Sequence, residues 1–112
     1  MIRAIAVLDA GANLRSFTAA GHAARGDRGY DIVCAAFSTL ARTAYRALEA
    51  LPGIELQGSA PEPGSLSFHV VKAAASVERA AGIADFLVAG IGDLARDYPG
   101  AVQFVLERDW RE

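Results

Sequence analysis

From Ile32 to Leu51, the apolar residues Ile32, Val33, Ala36, Phe37, Leu40, Ala44 and Leu48 return every three or four positions. Pro52-Gly53 closes the run. That spacing stacks the apolar side chains along one side of an α-helix of about 20 residues. A proline followed by a glycine stops such a helix. Asp31 reads as its N-cap, because its carboxylate can accept the backbone N–H of Val33 or Cys34. A second run of the same kind follows Ser76, another capping residue type, and carries Val77, Ala80, Ala81, Ala84, Leu87, Val88, Ile91 and Leu94. It is expected to end near Tyr98-Pro99-Gly100. Two helices of this length in a chain of 112 residues leave room for one domain, 1–112, built up with short strands.

The strands are expected around those helices. Residues 2–9 are rich in strand formers, and Ala10 to Asn13 form a turn in which Gly11 and Asn13 tolerate positive φ. Leu14 to Ala20 then returns as a second strand, with Phe17 and Ala19 on one face and Leu14, Ser16 and Thr18 on the other. Ile54 to Gln57 alternates as a short strand, and Pro61 and Pro63 mark residues 58–64 as a loop. Ser65 to Val70 alternates strictly, with Leu66, Phe68 and Val70 on the buried side. Ala101 to Glu107 supplies a last strand, followed by a charged tail with Trp110. The expected fold is α+β in two layers: two long helices on one face of a largely antiparallel sheet of about five strands. The sheet's other face then stays open unless a partner covers it, and Phe17, Trp110 or the edge strands are candidates for that contact.

Composition narrows the function classes. The net charge of −2 and the absence of a basic run give no footprint for nucleic acid. A single cysteine excludes an internal disulfide. The N-terminal apolar run, Ala4 to Leu8, breaks at Asp9 and is too short for a secretory leader, and nothing approaches the ~20 apolar residues of a membrane span. A cytoplasmic protein without membrane contact is expected. No histidine pair or second cysteine has metal-ligand spacing, so neither a metal nor another cofactor is expected.

The chemistry concentrates between Gly21 and Ser38. Cys34 falls near the start of the first helix, and His22 lies in the segment before it, flanked by Gly21, Gly26 and Gly29. A thiol at a helix start and a histidine on an adjoining loop are the parts of a cysteine nucleophile with its general base. A first-turn position favours the thiolate through the helix dipole, and N–H groups there can hold an oxyanion. Asp31 can cap the helix or orient His22, and Ser38, one turn beyond Cys34, can hold substrate or a water. The residues alone leave two readings of Cys34 open, a nucleophile or a small buried apolar side chain. His69, on the polar side of its strand, reads as an exposed histidine.

Gly21-His22-Ala23, followed by Gly29-Tyr30-Asp31-Ile32-Val33-Cys34-Ala35-Ala36, resembles the signature of the ribosomal-processing cysteine protease family Prp, also called YsxB-like. The histidine-to-cysteine spacing and the chain length resemble that family too. The resemblance implies a Cys-His dyad endopeptidase, with Cys34 the nucleophile and His22 the base and then the acid. Asp31 would support the pair, and Gly21 and Gly29 would let the loop 21–30 move. It implies a homodimer, and as substrate the N-terminal extension of a large-subunit ribosomal protein, the L twenty-seven protein, removed during ribosome maturation. Two other readings fit the same residues: a non-enzymatic ribosome-assembly factor binding that protein, and a non-proteolytic acyl-transfer enzyme such as a thioesterase.

Overall fold

The computed structural model describes residues 1–21, 28–62 and 65–109. Within them the order is β1 (Ile2–Leu8), β2 (Leu14–Ala20), α1 (Arg28–Glu49), β3 (Glu55–Glu62), β4 (Ser65–Lys72), a short 3-10 turn (Ala74–Ser76), α2 (Val77–Asp97) and β5 (Val102–Arg108). The five strands form one sheet in the order β3-β4-β2-β1-β5. Three of the pairings are antiparallel, and β1 with β5 is parallel. The chain leaves β4 through α2 and crosses over β2 and β1 to lay β5 parallel to β1 at the far edge. Both helices lie on one face of the sheet, as the apolar periodicities predict.

The core is the layer between them. Ile2, Ala4, Ala6 and Leu8 of β1 alternate inward, joined by Phe17, Ala19, Leu66, Phe68 and Val102 from the neighbouring strands. Val33, Phe37, Ala41, Ala44 and Leu48 of α1 and Ala84, Leu87 and Ile91 of α2 close over them. Phe17 is at the centre, with its ring centroid 6.4 Å from that of Phe37 and 5.9 Å from that of Phe68. It is fully buried, so it takes no part in any contact on the open face. Trp110 lies outside the described residues. Gly90 marks where the helices approach closely, since a Cβ there would stand 3.1 Å from a methyl of Leu40.

Four local expectations change. β3 continues through Pro61 to Glu62 where a loop was expected. It is an edge strand, so a residue without an N–H costs it no ladder bond, and its register shifts between Ser59 and Glu62. Leu14 faces the core, because the β1–β2 register slips between Val7 and Leu8 and turns it inward. In the hairpin turn the positive φ falls on Ala12 (65°), not on Gly11 or Asn13. Asp9 sets this conformation, its Oδ1 accepting the N–H groups of Gly11 and Asn13, both at 2.9 Å. Finally, α1 begins at Arg28, so Asp31 stands inside the helix and not at its cap.

α2 begins and ends where expected, but Ser76 does not cap it with its side chain. Its buried hydroxyl donates instead to the Pro52 carbonyl, just past the end of α1. The bond ties the exit of one helix to the entry of the other.

Candidate active site

Cys34 sits in the second turn of α1. Its neighbour Val33 points straight into the core, so the helical rotation of about 100° per residue puts the thiol at the margin of the buried face. Cys34 is accordingly half-buried, packed against the core yet open on one side, and it is a free thiol. A nucleophile needs that position: walls on one side for a defined direction and access on the other for substrate. Because α1 starts at Arg28, the N–H of Cys34 is aimed back along the helix at the carbonyl four residues earlier and is not one of the unpaired first-turn donors. An oxyanion held by that group is therefore not what this helix provides.

Ser38 lies one turn beyond Cys34 on the same face. Its Oγ is shut off from solvent and has no hydrogen-bond partner among the described residues. With Phe37, Ala41, Arg42, Ser65 and Leu66 it lines a narrow crevice between α1 and the start of β4. Arg42 extends the line from Cys34 through Ser38 by another turn. Sequence reasoning missed it, although the same four-residue spacing reaches it.

Gly21 ends β2 at the entry to the histidine segment. Its φ is +108°, and a Cβ there would collide with the carbonyl oxygen of Met1. This glycine is demanded by backbone conformation and close approach, a firmer reason than loop freedom. His22 lies outside the described residues, as do the rest of the loop to 27 and the side chains of Gly29's neighbours and of Asp31. His69 is exposed on the face opposite to Phe68, so the sheet stands between it and the helix carrying Cys34. Two larger concavities lie elsewhere. One is a groove between α1 and α2 edged by Leu40, Ile83 and Phe86, and the other is a cavity at the far end of α1.

A free, half-buried thiol at the margin of a helix that covers an α+β sheet leaves room for a cysteine nucleophile. The model of the cysteine protease Prp family matches residues 1–103, and the chain belongs to that family. Among solved structures it is similar to SMU.848 from Streptococcus mutans, with 31% identity, 97% of this chain and 96% of that one covered, and a TM-score of 0.78. It is also similar in fold to the ribosomal processing protease Prp from S. aureus, solved with a substrate peptide and with a covalently linked product peptide. Each of these two structures gives 18% identity, a TM-score of 0.81, and coverage of 96% of this chain and 100% of that one. Comparison with curated proteins finds no match. The chain is thus a cysteine protease by family, and among its described residues no helix is long and apolar enough to cross a membrane.

Proposed function

We propose that this chain removes the N-terminal extension of a large-subunit ribosomal protein, the L twenty-seven protein, during ribosome maturation, using Cys34 and His22 as a dyad. The observation that carries the reading is the family match across residues 1–103 together with the half-buried, accessible thiol it contains. The peptide complexes of the S. aureus relative support a peptide substrate.

The chemistry follows from the two groups. The Cys34 thiolate attacks the scissile carbonyl carbon and gives a tetrahedral oxyanion. Collapse breaks the C–N bond as the His22 imidazolium donates its proton to the leaving amine, leaving a thioester on Cys34. His22, now neutral, takes a proton from water as the water attacks the thioester. The carboxylate product leaves and the thiol is restored. Asp31 supports the pair, Ser38 meets the substrate or a water beside the thiol, and Gly21 and Gly29 serve the loop that carries the base. The working form is a homodimer in the cytoplasm.

Intact-mass analysis of the host's own L twenty-seven precursor, incubated with wild type, Cys34→Ala or His22→Ala, tests the assignment. A discrete N-terminal loss with wild type alone supports it. An uncut precursor that still binds wild type and both variants equally would point to an assembly factor instead.

A further inference from the structure

We propose that the free edge of β5 is where two copies of this chain join: the β5 of a second copy runs antiparallel along it, with Val105 on the two-fold axis, and links the two sheets into one. The proposal rests on the homodimer reading above and gives it a surface. The sheet has two edges, β3 and β5. β3 is poorly suited to further pairing, because Pro61 has no N–H and its register shifts twice. β5 carries neither device. Its residues, Val-Gln-Phe-Val-Leu-Glu-Arg, include no proline, glycine or lysine, and its register with β1 is unbroken from Val102 to Arg108. A regular, largely apolar, unguarded edge is a template for another strand.

The hydrogen bonds at its two ends show which groups this edge offers. The Ala101 carbonyl accepts the N–H of Ile2, and the Asp109 N–H donates to the Leu8 carbonyl. Backbone groups alternate sides along a strand, so Gln103, Val105 and Glu107 face β1, while Phe104, Leu106 and Arg108 turn their N–H and C=O outward. No strand among the described residues pairs with that side. Beside it Val105 and Leu106 are 41% and 43% exposed, on opposite faces of the sheet.

The strand's own sequence selects the occupant. Pairing about Val105 sets Phe104 against Leu106 in both copies, Gln103 against Glu107, and Val102 against Arg108. Phe104 and Leu106 then exchange their outward backbone hydrogen bonds, and their apolar side chains meet on the helix side of the sheet. Glu107 and Arg108 stand at one end of the strand, so antiparallel copies keep like charges apart, and the Gln103 amide can donate to the Glu107 carboxylate. A shift of two residues is the smallest that keeps each face in place. In one direction it sets Val105 against Glu107 and Phe104 against Arg108. In the other it sets Gln103 against Val105 and leaves Glu107 and Arg108 beyond the second strand.

Crosslinking and light scattering test the proposal. Val105 would meet its own copy as a non-hydrogen-bonded pair, with Cα atoms about 4.5 Å apart, within disulfide range. Val105→Cys in the Cys34→Ala background is expected to oxidise to a disulfide-linked dimer, and Gln103→Cys in the same background at least about tenfold more slowly. The Leu106 N–H points away from β1, so Leu106→Pro costs the sheet no ladder bond. It is expected to leave the circular dichroism unchanged and to weaken the dimer at least about tenfold by light scattering. Phe86→Ser, in the groove between the helices, is expected to leave the dimer intact. Equal crosslinking at both cysteine positions would overturn the proposal. So would a dimer that survives Leu106→Pro or that Phe86→Ser dissociates, with the homodimer reading left standing. Wild type that is monomeric at about 100 µM would overturn both. Slower cleavage by Leu106→Pro at unchanged mass would give the edge to the peptide substrate instead.

Discussion

Cys34 and Ser38 stand one turn apart on the same face of α1, and the hydroxyl of Ser38 is closed off from solvent with no hydrogen-bond partner among the described residues. A buried hydroxyl without a partner costs about 1–3 kcal/mol. Ser38→Ala is therefore expected to hold or slightly raise the thermal midpoint while lowering kcat/KM for peptide cleavage by about tenfold. Calorimetry and steady-state kinetics on the same preparation check this. A drop in stability with unchanged kinetics would make Ser38 structural.

Replacing the thiol separates chemistry from folding. Cys34 is half-buried, and alanine removes little apolar volume there. Cys34→Ala is expected to abolish cleavage while costing no more than about 1 kcal/mol of stability. Denaturant unfolding beside a peptide cleavage assay measures both.

The aromatic centre of the core holds α1, and with it the thiol, against the sheet. Phe17 is fully buried between Phe37 and Phe68. Phe17→Ala is expected to lose about 3–5 kcal/mol by urea unfolding, and Phe17→Leu distinctly less.

Ser76 joins the two helices through the Pro52 carbonyl, not by capping α2. Ser76→Ala leaves that carbonyl without this donor and is expected to cost about 1–2 kcal/mol. Ser76→Asp, a better N-cap in isolation, is expected to cost more, because it places a charge in a buried site with a carbonyl facing it. Thermal unfolding of the two variants ranks them. The opposite order would show that capping dominates.

Gly21 combines a left-handed φ with close approach to the Met1 carbonyl. Gly21→Ala is expected to cost more than about 1 kcal/mol and to lower activity through displacement of the segment that follows. Denaturant unfolding and kcat/KM report the two effects.

Much of this was written in the sequence because local and tertiary signals agree. The period of α2 runs unbroken from Val77, and Tyr98-Pro99-Gly100 ends it, so its bounds follow from residue spacing. The α1 run is equally clear in its body, but its start is not. Gly29 argues against helix and Asp31 resembles a cap, yet the helix takes both in. Pro61 misleads for a different reason: whether a proline can sit in a strand depends on strand order, and β3 is at an edge. The inward turn of Leu14 depended on one register slip, which no alternation pattern carries. At the candidate site the spacing from Cys34 to Ser38 was legible as one helical turn. The half-burial of the thiol was not, because it depends on how α1 is rotated over Phe17 and Phe68.

The central claim is that the Cys34 sulfur takes the acyl group of a cleaved peptide. The most direct measurement is the intact mass of the enzyme itself, acid-quenched during turnover of a peptide spanning the cleavage site. The account predicts a transient adduct equal to the N-terminal product less water, mapped to Cys34 and absent from Cys34→Ala. Continued cleavage by Cys34→Ala, or turnover by wild type with the adduct on another residue, would contradict it.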